Sequence, residues 1–341
     1  MCCLFGQSLD GIFPTLVPGP SSAPRNKMPR VRLSDNSIKI VKKTHLKLVG
    51  LGSISLQRYK AAVSKFFAWR RNSRIHPSSS FGELDNQIGE YLDFLYQSDS
   101  PLHWAADLLS GMKRIYPRTR GFLKISDSYY RIWNKVIRRS RALPLSLRLV
   151  RGLFVYGCLK DNPEFSLVVL LGFVMLLRPG EILAQRSSLF TYVNEELMVV
   201  KVWGKQSART GEWETVLLKD PLLIKVICNL KKKGKDFLFN KSSNFFNKLY
   251  KEALVYFSVV HPKPTPHGIR RGGATWHFGL YSLYDKTQEH GRWVQLSTAR
   301  LYIDQATTAT SEANLQEPGA SRLVGAQALF FKMLRRSFDC S

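Results

Sequence analysis

The sequence lacks the cysteine spacing of a disulfide or zinc scaffold. Its five cysteines (Cys2, Cys3, Cys158, Cys228 and Cys340) form no C-x-x-C pair and have no paired spacing with histidine. They read as reduced thiols in a reducing compartment, which argues against structural zinc. Long apolar runs are also missing. The longest, Leu167 to Leu177, is about half the ~20 residues a membrane span needs. Residues 1–20 carry apolar side chains, but Pro14, Pro18 and Pro20 interrupt them and no basic region precedes them, so no secretory signal is expected. The expectation is a soluble, intracellular chain without a membrane partner. There is no phosphate-binding P-loop, no acidic metal cluster, no internal repeat and no low-complexity tract.

Acidic residues are scarce as well, and here the shortage is informative. Lys and Arg number 51 against 25 Asp and Glu, a net charge of +26 over 341 residues. Such a surplus points to a polyanionic partner, nucleic acid foremost. Charge alone leaves two other readings open, binding of something acidic without chemistry and an anionic membrane surface. At 44% hydrophobic residues the chain can bury real cores, which excludes disorder throughout. The length suits roughly two domains.

Residues 1–30 are rich in Pro, Ser and Gly and lack periodicity. A basic stretch follows (Arg30, Arg32, Lys39, Lys42, Lys43, Lys47), which reads equally as a phosphate-tracking segment or a solvated arm. Residues 1–48 are therefore expected to be a disordered, basic leader. Four helical patterns come next over 49–143. The first starts at a capping Ser55 and turns Leu56, Tyr59, Val63, Phe66 and Phe67 to one side. The second carries Leu84, Ile88, Tyr91, Leu92 and Leu95, and the third Trp104, Leu108, Met112 and Ile115. The fourth carries Tyr129, Ile132, Trp133, Val136 and Ile137 and runs into Arg138, Arg139 and Arg141. These aromatics read as core. A domain boundary is expected near Leu143–Pro144.

Beyond it, Ser146 is positioned to cap one helix and Asn162–Pro163–Glu164 to open another. The second contains the Leu167–Leu177 run, apolar all round and hence buried. Leu197–Val202 and Trp213–Leu218 read as the strands of a hairpin whose turn spans Gly204 to Gly211. After Pro262 the pattern is helical to the end. The predicted fold class is mainly α with a small β-sheet: a helical first domain, then an α+β domain over 144–310 and a tail over 311–341. In that tail Val324, Ala328, Phe331 and Leu334 share a helical face.

Polar residues of the second half say little one at a time. Arg178 has an acid three residues on, Glu181. Lys205 in a hairpin turn is ordinarily solvated, and His267 with Arg270 could be a cap and a surface pair. Their order and spacing say more. The chain reads LLRPGEIL around Arg178, VWGKQ around Lys205, PHGIRRGGAT around His267 and Arg270, and GRWVQLSTARLYI around Trp293 and Tyr302. Trp293 precedes Tyr302 by nine residues and Arg270 precedes it by 32.

This set resembles the catalytic domain of the tyrosine recombinases, the phage-integrase family. That family uses an Arg from an R-x-x-E segment, a hairpin Lys, an H-x-x-R pair, a His or Trp, and a Tyr nucleophile, in that order. The resemblance covers about 145–305, and the helical domain before it looks like the family's core-binding domain. It implies that Tyr302 attacks a DNA phosphodiester, giving a 3′-phosphotyrosyl link that a 5′ hydroxyl later resolves, with no cofactor, metal or ATP. Arg178 and Arg270 would bind the nonbridging oxygens through planar, permanently charged forks. His267 would donate to the phosphate or accept the tyrosine proton. Lys205 would protonate the leaving 5′ oxygen, with Lys201 as the weaker alternative. Trp293 stands where His is commoner; its indole N–H can donate but cannot shuttle a proton. Glu181 would orient Arg178. The implied partners are double-stranded DNA and further copies of the chain, as a tetramer on DNA. The helix after Tyr302 would either dock on a neighbouring copy or pack on its own.

Two readings compete with strand exchange. A type IB topoisomerase uses a similar residue set, though H-x-x-R and the short Arg270–Tyr302 interval favour a recombinase. A non-catalytic DNA-binding remnant of a mobile element would be expected to lack at least one catalytic position, and none is missing. The GIRRGGAT wording looks more like eukaryotic mobile elements, which would place the protein in the nucleus.

Overall fold

The computed structural model describes residues 53–137, 142–204, 207–259, 265–313 and 315–338. The expected leader, the basic run Arg138, Arg139 and Arg141, and Lys205 lie outside the described residues. The chain divides into two compact units at Arg139/Ser140.

The first unit is a helical cluster of α1 (Ser53–Asn72), α2 (Phe81–Gln97), α3 (Leu102–Ile115) and α4 (Lys124–Val136). The apolar periodicity puts Val63, Phe66, Leu84, Ile88, Leu92, Leu108 and Met112 into one buried cluster. Two expectations need correcting. Ser55 sits inside α1, which already runs from Ser53, so it caps nothing. In α4 only Trp133 of the predicted apolar face is buried; Tyr129, Ile132 and Val136 face solvent, Ile132 with 59% of its surface exposed. A distant cap helps fix this helix. Asp85 of α2 accepts the N–H groups of Ile125 (2.8 Å) and Ser126 (2.9 Å), so α4 has no need of a local capping residue.

In the second unit α5 (Leu147–Leu159) and α6 (Pro163–Val174) pack together at the centre of the core. Ser146 caps α5 by accepting the Leu149 N–H. Pro163 opens α6, but the Asn162 side chain makes no capping bond. α6 stops at Val174, short of the end of the apolar run. Its C-terminus closes in a Schellman motif, with Leu177 N–H bonded to Gly172 O and Leu176 N–H to Phe173 O. The left-handed position belongs to Leu176, at φ 50°, where glycine is usual.

After α7 (Pro179–Leu183) comes an antiparallel sheet of β1 (Phe190–Asn194), β2 (Leu197–Val202) and β3 (Glu214–Leu218), in that order. The register pairs Val200 with Val216 and Val202 with Glu214. Met198, Val200, Val202, Val216 and Leu218 point into the core, as period-two alternation requires. Strand β1 was not anticipated. α8 (Pro221–Lys232) and α9 (Ser243–Tyr256) follow, then α10 (His267–Tyr281), α11 (Tyr284–Gly291), α12 (Leu296–Arg300), α13 (Gln305–Ala313) and α14 (Gly319–Ser337).

α10 passes very close to its neighbours. A Cβ on Gly272 would come within 1.8 Å of Leu145 O, and one on Gly273 within 2.2 Å of Phe173 O. Only paired glycines permit that approach, and it brings α10 against the end of α6. α14 packs on its own unit through Leu323, Ala326, Phe330 and Leu334. Of the predicted face Leu334 is buried, but Leu323, Ala326 and Phe330 take the place of Val324, Ala328 and Phe331, which are exposed. Among the described residues no helix is long and apolar enough to cross a membrane.

Candidate active site

Arg178 is the residue from which α7 starts. Its backbone N–H donates to Glu181 Oε2 (2.9 Å) and its Nη1 to Glu181 Oε1 (2.6 Å). The tight R-P-G-E turn produces this, because Pro179 presets the first helical φ and Glu181 reaches back to the helix start. The Arg178 side chain remains 31% exposed, so its outer face is open to an anion. Glu181 is only 4% exposed and also accepts from Arg292 Nη2 at 2.7 Å. Burial pushes the Glu181 carboxyl pKa upward, but Arg292 and Arg178 outweigh it and hold the group below the usual carboxylate range.

α10 supplies the next two groups. His267 is its first residue and is exposed. Partial loss of solvent, then the Arg270 and Arg178 guanidiniums, hold its imidazole below the ordinary value, against a smaller opposing pull from Glu181. It is therefore mostly neutral at pH 7, the form that can accept a proton. Arg270, one turn later, is fully buried. Its Nη1 donates to Leu176 O and its Nη2 to Gly291 O at 2.6 Å. The left-handed turn at Leu176 aims that carbonyl inward. The Arg270 guanidinium lies 4.6 Å from the Trp293 ring centre and 5.6 Å from that of Tyr302. Burial, Arg178 and Arg292 lower its pKa, opposed by Glu181 and Tyr302; from so high a starting value it still carries its charge at neutral pH. In this conformation no Arg270 donor faces solvent, and an incoming anion meets Arg178 and His267 first.

Trp293 and Tyr302 close the group, with ring centres 4.8 Å apart. They join Leu176, Ala274 and Ala299 in a small apolar cluster. The Tyr302 segment is clipped to α10. The Thr275 hydroxyl lies 3.3 Å from Tyr302 O and accepts the Asp304 N–H at 3.0 Å. Arg271 pairs with Asp304 at 3.1 Å and donates to Ala142 O at 2.6 Å. The nucleophile candidate is thus held by the same helix that carries His267 and Arg270.

Five of the six residues singled out in the sequence (Arg178, His267, Arg270, Trp293 and Tyr302) come from three stretches of the chain and meet in one region, with Glu181 bonded beneath Arg178. The sixth, Lys205, lies outside the described residues, directly after Gly204 of the hairpin. Lys201 is on the exposed face of β2 opposite Thr215. Sequence reasoning missed Arg292, Glu214 and the clip formed by Arg271, Thr275 and Asp304. Arg292 stands inside the GRW segment beside Trp293, but no spacing rule distinguished it from a surface arginine.

No family model and no curated protein matches the chain. Solved structures do. The chain is similar to the XerH site-specific recombinase in a post-cleavage complex with a palindromic difH substrate, at 17% identity and a TM-score of 0.54, covering 74% of this chain and 76% of that one. It is also similar to a lambda integrase dimer bound to a COC′ core site, at 16% identity and a TM-score of 0.51, covering 76% and 74%. A lambda integrase fragment, residues 75–356, on the same kind of site gives 14% identity and a TM-score of 0.51, covering 75% and 90%. The fold is that of the tyrosine recombinases.

Proposed function

We propose that this protein cleaves and rejoins DNA through a covalent link to Tyr302, as a site-specific recombinase or integrase. The observation that carries the reading is the convergence of Arg178, His267, Arg270, Trp293 and Tyr302 on a fold shared with XerH and lambda integrase. Both of those proteins were solved on DNA.

The chemistry follows from the residues. A phosphodiester under attack gathers negative charge on its nonbridging oxygens. Arg178 offers an open guanidinium preorganised by Glu181, and such preorganised donors are commonly worth ~3–4 kcal/mol of transition-state stabilisation each. Arg270 lies beneath, its guanidinium 5.6 Å from the centre of the Tyr302 ring, where its charge favours the anion that develops on the phosphate. Neutral His267 accepts the tyrosine proton. The Tyr302 Oη–phosphorus bond forms, the phosphorus–O5′ bond breaks, and Lys205 gives a proton to the departing oxygen. Trp293 supplies a wall beside Tyr302, and its indole N–H is a donor that can serve the phosphate. The energy of the broken bond is kept in the 3′-phosphotyrosyl link, so a 5′ hydroxyl of another strand can reverse the step without ATP. Action as a tetramer on two duplexes is part of the proposal, as is a nuclear site of action should the gene be eukaryotic.

Incubating wild type and Tyr302→Phe with nicked duplexes, from which the cleaved end diffuses away, tests the reading. A protein–DNA band that survives denaturing electrophoresis is expected for wild type and not for the variant. DNA binding by both with a band from neither would favour the non-catalytic remnant.

A further inference from the structure

Arg292 is the last turn of α11 made into a bridge. Its backbone is left-handed, at φ 55°, because the helix ends in a second Schellman motif: Trp293 N–H bonds to Gln288 O and Arg292 N–H to Glu289 O. An arginine in that conformation is uncommon, and this one is buried, with 6% of its side chain exposed. From there it reaches two carboxylates on two other elements. Nη2 donates to Glu181 Oε2 at 2.7 Å, and Nη1 stands 3.7 Å from Glu214 Oε2. Neither Arg292 Nη1 nor Glu214 Oε2 has a hydrogen-bond partner among the described residues. The second pair is therefore set up by charge and position rather than by an ordinary hydrogen bond.

Glu214 opens β3 opposite Val202. Beside that pair, Trp203 and Trp213 pack edge to face with ring centres 5.0 Å apart, which closes the hairpin base from the solvent side. Gly204 comes next, and its surroundings are crowded. A Cβ there would meet Glu181 Oε1 at 2.6 Å, Glu214 Oε2 at 3.0 Å and Arg178 Nη1 at 3.5 Å. The hairpin backbone thus lies directly on the carboxylates that Arg292 gathers. Without that cation, Glu181 and Glu214 would repel each other across Gly204.

We propose that Arg292 is a positioning residue that pins the base of the β2–β3 hairpin to the Arg178–Glu181 pair. Acting through Glu214 and Gly204, it sets where the chain enters the hairpin turn, and so the reach of that turn's lysine to the leaving oxygen. The inference rests on the function proposed above and adds a residue to it. A bland counter-ion to Glu181 would stabilise the fold and disturb every substrate alike. A hairpin pin should disturb the leaving-group step in particular.

The leaving group can be changed chemically to separate these cases. In a duplex with sulfur in place of the bridging 5′ oxygen, the departing group is a thiolate. A thiol, with a pKa near 8.5, is far more acidic than a hydroxyl, so the thiolate leaves without a proton donor. Tyr302 forms its bond to phosphorus, the phosphorus–sulfur bond breaks with the electron pair on sulfur, and no proton from the hairpin is required.

The experiment uses the full chain and a duplex that wild type selects by covalent trapping from a random pool, synthesised with 5′ oxygen or 5′ sulfur at the cleaved position. Wild type, Lys205→Ala, Arg292→Lys and Glu214→Gln are compared by single-turnover adduct formation. With oxygen, Lys205→Ala should slow adduct formation on the order of 100-fold, and Arg292→Lys and Glu214→Gln by about tenfold or more. With sulfur, all three should return close to the wild-type rate, with DNA affinity unchanged throughout. Glu214→Gln keeps the Arg292–Glu181 bond and carries the test if Arg292→Lys does not fold. Normal rates for Arg292→Lys or Glu214→Gln on oxygen, or defects that persist on sulfur, overturn the inference. Loss of the wild-type adduct itself overturns the function on which it rests, and the two failures are read from different lanes.

Discussion

At the scale of single residues, Glu181 is the centre of charge in the candidate site. Arg178 and Arg292 bond to it, and Arg270 Nη1 stands 3.9 Å away. Three guanidiniums around one buried carboxylate tolerate its loss poorly, because removing one partner leaves buried charge uncompensated. Glu181→Ala is expected to destabilise the second unit by about 3–5 kcal/mol, measured as a lowered urea midpoint at constant slope. A change under about 1 kcal/mol would mean the arginines re-solvate freely. Glu181 itself was legible, since the R-x-x-E spacing places it one turn from Arg178. Arg292 was not, because its importance comes from a left-handed backbone that in sequence is usually marked by glycine. The same holds for Leu176, whose carbonyl receives Arg270. Sequence rules for helix ends look for Gly or Asn, and both helix ends at this site use other residues.

At the scale of elements, α10 organises the site. One face carries His267 and Arg270, another carries Arg271 and Thr275 that hold the Tyr302 segment, and Gly272–Gly273 let the helix sit against Leu145 and Phe173. Adding a methyl at Gly273 forces a contact of 2.2 Å with a backbone oxygen. Gly273→Ala should therefore cost about 1–3 kcal/mol as an overpacking substitution and lower the thermal midpoint, whereas alanine at Gly279, with open space around its Cβ position, should not. Asp304→Asn weakens the clip on Arg271. It is expected to raise amide hydrogen exchange in 301–308 and slow covalent trapping while leaving global stability within about 1 kcal/mol. Unchanged exchange there would show that Thr275 alone suffices. Helices of this kind were readable where one face is buried, as in α2, where Leu84, Ile88, Tyr91, Leu92 and Leu95 all enter the core. Strand β1 was not, because only Phe190 of its five residues is buried and no alternation reaches the sequence. α4 misled for the opposite reason: its pattern is amphipathic, but most of the apolar face lies open.

At the scale of the whole molecule, two properties follow from charge. The first is acid sensitivity. His277 and His290 stack at 4.5 Å with their planes 9° apart, bonded to Thr287 and Val174 O respectively. Burial first, then His290 and nearby lysines, lower His277 to about 4; burial likewise lowers His290, against the pull of the Val174 carbonyl. The unfolded chain therefore binds more protons than the folded one between about pH 6.5 and 4, so stability falls as pH drops through that window and is fully present above it. His277→Gln should flatten the dependence of the thermal midpoint on pH over that range. The second is salt. With a net charge of +26, DNA binding should be dominated by phosphate contacts, and six to ten of these would lose roughly 10³–10⁵ in affinity between 50 and 200 mM salt. A flat salt response would speak against a DNA partner.

The central claim is that Tyr302 becomes covalently joined to a DNA 3′ phosphate, and the adduct itself reports this most directly. Trapped complex, digested with nuclease and trypsin, should yield the peptide spanning 301–322, in which Tyr302 is the sole tyrosine. Mass spectrometry should find that peptide carrying a nucleotide through its 3′ phosphate on Tyr302. A nucleotide joined through its 5′ phosphate, an adduct on another residue, or the same adduct from Tyr302→Phe would contradict the account.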